Sequence, residues 1–279
     1  MRRRVYDRIV QIILVAIASM MTLFLIYLVG YIIGSGIRGF SFGFLTRAPS
    51  GITQTGGVWP MIASSIYLIG LTLLIAVPLG VGGGIYLAEY AGQGRIVETI
   101  RFAVDILSSV PSIVFGLFGL ALFVQFLGLK YSMLSGAMTL TLMVLPLLLK
   151  ISEESFRAVP VTYREASLAL GATKDQTIFR IILPTALPAV FTGVLLSAGR
   201  AFGETAAVLY TAGLSPTTPV FPLDGGRTLS THLYLLATTG KIEESFKVAM
   251  VLLVVILVFN VLSNVVISRF RRRFIKEAR

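Results

Sequence analysis

Long apolar stretches alternate along this chain with short polar, mostly basic segments. Six runs, at approximately 9–33, 61–88, 102–127, 131–149, 185–212 and 248–267, are each long enough to cross a hydrocarbon layer of about 30 Å. The pattern predicts an all-α membrane protein of six transmembrane helices, forming a single transmembrane domain over residues 1–279. Runs three and four are separated only by "GLKY", which predicts a tight helical hairpin. The first run holds 25 uncharged residues behind "MRRRVYDR". That is too long for a signal-peptide core, and no small-residue cleavage site follows, so it reads as a retained span.

The polar segments differ between the two sides. Residues 150–184 predict two short helices: Tyr163 to Leu170, capped by Gly171, and Gln176 to Ile182, with Asp175 near its start. Pro184 and Pro188 then fall in the first turns of the fifth span, where a missing N–H costs least. On the other side, 34–60 is rich in Gly, Ser and Thr, and "LSPTTPVFPLDGG" excludes regular helix. The following "TLSTHLYLLATTG" is too short to span; it reads as an interfacial or re-entrant helix, or as a packed outer loop.

Composition adds the orientation and removes several function classes. The net charge is +11, but 17 of the 24 Lys and Arg flank the ends that place both termini and the 150–184 loop together, six lie opposite, and Arg200 is inside the fifth run. The positive-inside rule puts both termini and that loop in the cytoplasm. Lipid topology thus accounts for the basic residues, and no nucleic-acid motif accompanies them. There are no cysteines and one histidine, His232, which reads as structural; neither a disulfide nor a metal site is expected.

The fifth run holds the unusual chemistry. "SAGRAFGETAAV" carries Arg200 and Glu204 within a hydrophobic span, each costing roughly 2.5–3.5 kcal/mol on insertion scales. Spacing of four places them on one helix face. Gly199 and Gly203 beside them form a G-x-x-x-G pair suited to close helix packing. Three readings follow: a structural ion pair, an anion-binding Arg200 modulated by Glu204, or a proton relay. A carboxylate next to an arginine fork suits a protonated phosphate, which can donate a hydrogen bond to it, and disfavours fully ionised sulfate.

Two motifs resemble known families. Glu165-Ala166-Ser167, Gly171 and Ile181-x-Leu183-Pro184 resemble the EAA motif of ABC importer permease subunits, E-A-A-x3-G-x9-I-x-L-P, with Ser167 where Ala is usual. "GRAFGETAAVLYTAG" resembles the fifth-span signature of the phosphate-specific importer permeases, R-x-x-G-E-T-A, and the chain is more similar to PstA-like than to PstC-like subunits. The resemblance implies a type I ABC importer permease (MetI-like) architecture in a bacterial inner membrane, with a cytoplasmic coupling helix. It implies that 153–183 docks on an ATPase, that Glu165 caps or salt-bridges there, and that Gly171 allows close packing. Arg200 and Glu204 map onto charged residues of phosphate passage. Lys150 matches a position that is often Arg, and serves as a pathway residue or as a snorkelling anchor.

The implied assembly contains a PstC-like second permease, two PstB-like ATPases carrying ATP and Mg, and a PstS-like phosphate-binding protein. This chain carries no G-x-x-x-x-G-K-[ST] run and would be no enzyme. An importer of another oxyanion or small solute is the runner-up, and a membrane scaffold or sensor subunit is the reading from another class.

Overall fold

The computed structural model describes residues 2–50, 55–92 and 94–277. Arg279, counted in the carboxy-terminal basic cluster, lies outside them. Helices α1 (Arg2–Gly36), α3 (Trp59–Ile85), α6 (Met133–Arg157), α9 (Leu183–Phe202) and α12 (Ile242–Glu277) are the long elements, with a short α2 (Phe42–Thr46) in the first outer loop. Five described helices are long and apolar enough to cross a membrane, and one bent pair makes up to a sixth.

The centre is the packing of α3 along α6. Leu68, Thr72 and Ala76 of α3 are buried, as are Leu140, Met143, Val144 and Leu148 of α6. Glycine permits the approach. A Cβ at Gly80 would stand 2.8 Å from Leu148 Cγ, and one at Gly84 would stand 2.5 Å from Ser152 Cβ. The G-x-x-x-G spacing that joins helices within this chain is therefore Gly80–Gly84. At Gly199 nothing lies within 4 Å of a built Cβ, and at Gly203 only the Arg200 carbonyl, at 4.0 Å. The close packing expected of that second pair does not occur within the chain.

Run three is not one straight helix. Helix α4 (Arg95–Ser109) and helix α5 (Ser112–Gly119), the latter extended as a wider π-wound turn over Leu120–Phe126, meet at 100°. Pro111 is the cause: it excludes the residue before it from the helical region, and Val110 is extended at φ −68°, ψ 131°. The turn after Phe126 closes with Gly128 and Lys130 both at positive φ, as the expected tight hairpin requires.

Run five is also interrupted, which corrects the continuous span 185–212. Helix α9 ends at Phe202, with Gly203 closing it; Glu204 and Thr205 are not helical, and a one-turn α10 (Ala206–Leu209) follows. At its amino-terminal end α9 has no break. Helix α8 (Lys174–Thr177) runs through π-wound Ile178–Ile182 directly into it, so only α7 (Val161–Ala169) is a separate loop helix. The wide turn sits immediately before Pro184, whose missing N–H and ring an ordinary α-turn would accommodate poorly.

The loop that follows α10 is packed against the neighbouring helices. Helix α11 (Leu229–Thr238) buries Leu229, Thr231, His232 and Leu236. Loop carbonyls of Asp224 and Pro222 accept the first N–H groups of α6, from Met133 at 2.8 Å and Leu134 at 2.7 Å. Arg227 reaches the Leu214 carbonyl through Nε at 3.0 Å and places Nη1 3.2 Å from His232 Nδ1. A guanidinium only donates, so Nδ1 is the acceptor. Burial, then the charges of Arg227 and Lys241, push His232 down to about 4. It is the structural histidine that the sequence suggests.

Candidate functional site

Arg200 lies level with the middle of α6. Gly193 of α9 abuts Ile151 of α6, and Ala212 abuts Gly136. Arg200, between these two registers, therefore stands opposite the middle of α6, a helix of 25 residues or about 37 Å. It is exposed on the surface of the chain, and among the described residues its side chain makes no ion pair or hydrogen bond.

The expected Arg200–Glu204 face does not form, because the helix ends between them. Glu204 Oε1 instead accepts the Ala207 N–H at 3.3 Å, satisfying a free donor of α10. Its carbonyl accepts from Ser230 Oγ at 2.7 Å, which ties the break to α11. One carboxylate oxygen and its half-buried surface remain. Gly116 of α5 packs on Ala206 and Ala207, and Gly119 on Thr211, so α5 and α10 rise in parallel. The α4–α5 bend lies about one and a half turns before Gly116, and the α9–α10 break directly precedes Ala206, so both interruptions fall on the same side of this contact. Interrupted helices at membrane depth are tolerated where they meet protein or a water-filled cavity.

Lys150 is not near this level. It sits near the inner end of α6, donating to Asp105 Oδ1 at 3.1 Å, at a cavity of about 240 Å³ lined also by Arg101, Glu153 and Arg157. Glu153 there holds both Arg101, at 2.9 Å, and Arg157, at 3.0 Å.

In the loop between α6 and α9, Gly171 follows α7 at φ +84°, a backbone conformation that costs other residues about 1–2 kcal/mol. Nothing lies within 4 Å of a Cβ there, so within the chain the turn requires the glycine, not close packing. Thr173 and Gln176 form a reciprocal capping box at the start of α8. Ser167, in the third motif position, is buried with its hydroxyl 2.8 Å from that of Thr177, which locks α7 onto α8. Glu165 and Ala166 are exposed on the outer side of α7, whereas Ile181, Leu183 and Pro184 are half-buried where α8 becomes α9.

Two residues that drew no attention in the sequence anchor this loop. Glu89 and Tyr90, in the π-wound continuation of α3 (Tyr86–Tyr90), bind Arg164 and Asp175 respectively. A lone acidic residue in "YLAEYAG" at a span end gives no local signal of a partner 75 positions away.

The geometry defines a polytopic membrane protein with two broken helices and, level with the middle of α6, a cation with no ion pair among the described residues. The family described as "Binding-protein-dependent transport system inner membrane component" matches residues 80–276, and the chain belongs to it. It is a permease subunit of the ABC importer class, and not a catalytic chain. It is 37% identical over 277 residues to a "Probable ABC transporter permease protein YqgI" of Bacillus subtilis, covering 93% of this chain and 94% of that one. It is 41% identical over 176 residues to the "Phosphate transport system permease protein PstA 1" of Mycobacterium tuberculosis, covering 62% of this chain and 58% of that protein. Among solved structures, a permease chain of a bacterial alginate ABC transporter aligns with TM-score 0.66 at 16% identity, covering 91% of this chain and 92% of that one. A chain of the inward-facing MetNI methionine transporter aligns with TM-score 0.59 at 19% identity, covering 77% and 94%. These share the fold, as the MetI-like expectation required.

Proposed function

We propose that this chain is a PstA-like permease subunit of an ATP-driven importer that carries inorganic phosphate inward across a bacterial inner membrane. The observation that carries the reading is Arg200: exposed, unpaired among the described residues, and opposite the middle of α6. A guanidinium is not left in lipid at that depth, so it faces a water-filled pathway or a partner chain. Its donor fork matches an oxyanion. Glu204, detached from Arg200 by the helix break, keeps an acceptor free for a proton still carried by phosphate; sulfate offers none. The relatives named as phosphate permeases support the same solute.

The remaining assembly follows the same resemblance. A PstC-like permease completes the pathway against the open α9 face that carries Gly199 and Gly203. Two PstB-like ATPases, with ATP and Mg, engage the loop around Glu165, Ala166 and Ser167, and both termini lie on that cytoplasmic side. A PstS-like protein delivers phosphate to the outer loops. ATP closes the ATPase pair, the coupling helices approach, and the spans open outward to receive phosphate near Arg200; hydrolysis returns them to the inward-facing state.

Reconstitution of the complete complex in proteoliposomes tests this. ATP-dependent uptake of labelled phosphate should require the binding protein and should resist competition by excess sulfate. Uptake suppressed by sulfate would replace phosphate with a broader oxyanion specificity. Absence of any ATP-dependent uptake would favour the scaffold or sensor reading.

A further inference from the structure

We propose that Arg164 is a positioning residue for energy coupling, joining the loop that meets the ATPase to the inner ends of α3 and α6 as one rigid unit. The inference rests on the reading that residues 150–184 receive the ATPase. Arg164 projects from α7 and is one-fifth exposed. Its Nε donates to both carboxylate oxygens of Glu89, at 3.2 and 3.3 Å. Nη2 also reaches Glu89 and donates to the Phe156 carbonyl at 2.8 Å, and Nη1 donates to the Val159 carbonyl at 2.6 Å. Phe156 lies in the last turn of α6, and its carbonyl accepts the Val159 N–H at 3.3 Å beside the arginine. One side chain therefore closes α6, grips the extension of α3 and belongs to α7.

Glu89 is only 8% exposed, so this ion pair is largely desolvated, and removing one partner leaves the other uncompensated. The wider turn ending α3 presents Glu89 and Tyr90 to neighbouring elements: Glu89 to α7, and Tyr90 to α8. The Tyr90 hydroxyl donates to Asp175, and Lys174 Nζ stands 4.9 Å over the Tyr90 ring. With Ser167 bonded to Thr177, α7 and α8 form a single body held at two points to α3. Because α3 and α6 are packed through Gly80 and Gly84, a displacement of α7 carries both spans together. Lysine cannot replace this arginine, since a single ammonium has three donors at one point and no planar fork.

The experiment uses the complete complex in proteoliposomes, with Arg164→Lys, Glu89→Gln, their combination, and Tyr90→Phe as a milder variant that deletes one hydroxyl. ATPase retained on the purified complex reports docking; phosphate taken up per ATP hydrolysed reports coupling. Arg164→Lys and Glu89→Gln should retain the ATPase yet lower uptake per ATP by about tenfold, within the 5–150-fold range of coupling energies. The double variant should be no worse than the poorer single, because the pair acts as one link. Tyr90→Phe should lower the ratio by about fivefold, the loss of one solvent-exposed hydrogen bond of ordinary net worth. Unchanged ratios with the ATPase retained, or losses that multiply in the double variant, would overturn the proposal. Loss of the ATPase as the only defect would overturn it too, making Arg164 a docking residue. A wild-type complex in which the ATPase cross-links to other parts of this chain and not to this loop would instead remove the docking reading on which the inference rests.

Discussion

Replacing Gly84 with alanine should destabilise the protein, while the same change two residues earlier should not. Both glycines lie in α3, where alanine is intrinsically favoured by about 0.8–1.0 kcal/mol. At Gly82 nothing lies within 4 Å of the added methyl, so only that gain operates. At Gly84 the methyl would fall 2.5 Å from Ser152 Cβ and 2.9 Å from the Glu153 amide nitrogen, both fixed parts of α6. Carbon contacts settle near 3.5–4.0 Å, so α3 and α6 must separate by about 1 Å. Overpacking of that kind costs about 1–3 kcal/mol. The net effect is a loss of up to about 2 kcal/mol at Gly84 against a gain of up to about 1 kcal/mol at Gly82. Unfolding in mixed detergent micelles, followed by far-ultraviolet circular dichroism, measures both. Gly84→Ala at least as stable as Gly82→Ala would refute the packing argument.

Other consequences are equally open to measurement. Glu204→Gln keeps the acceptor for the Ala207 amide and removes the charge; phosphate-over-sulfate preference should fall by about tenfold with the fold intact, the worth of one charge-assisted hydrogen bond, and an unchanged ratio would exclude Glu204 from selectivity. His232 is held near 4 against an ordinary 6.5, so the unfolded chain binds the extra proton and stability drops as pH falls from about 6.5 to about 4, by about 3 kcal/mol in all. A His232→Gln variant should show a correspondingly flatter stability profile over that range, and an unchanged profile would exclude His232 as its source. Gly171→Ala should cost about 1–2 kcal/mol in loop stability, read as faster proteolysis between α7 and α8; equal cleavage rates would contradict the positive-φ requirement. Since the chain has no native cysteine, Ser215→Cys should label from the outer side and Glu165→Cys from the cytoplasmic side of oriented vesicles, and the reverse would invert the topology.

The five long helices and the glycine that ends α7 were legible because hydrophobic length and a positive-φ cap are local signals. The two interruptions were harder. Pro111 marks the α4–α5 bend by its restriction of Val110, yet it lies inside an apolar run whose length alone suggested continuity. The end of α9 at Phe202 has no proline; it depends on Gly203, on Glu204 capping α10, and on Ser230 arriving from α11. Spacing of four between Arg200 and Glu204 therefore misled, because spacing carries meaning only within an unbroken helix. The anchoring residues Glu89 and Tyr90 were invisible for a different reason. Their partners Arg164 and Asp175 are 75 and 85 positions away, and only the tertiary packing of α3 on α6 brings them together.

The central claim is that Arg200 contacts the transported anion. Initial rates of ATP-dependent phosphate uptake by the reconstituted complex, compared for wild type, Arg200→Lys and Arg200→Ala, test it most directly. Loss of a charge-assisted contact worth about 1.5–3 kcal/mol predicts uptake lowered by about 10–150-fold in Arg200→Ala, with Arg200→Lys intermediate because it keeps the charge without the fork. Phosphate uptake by Arg200→Ala at the wild-type rate, in a complex of unchanged composition, would contradict the account.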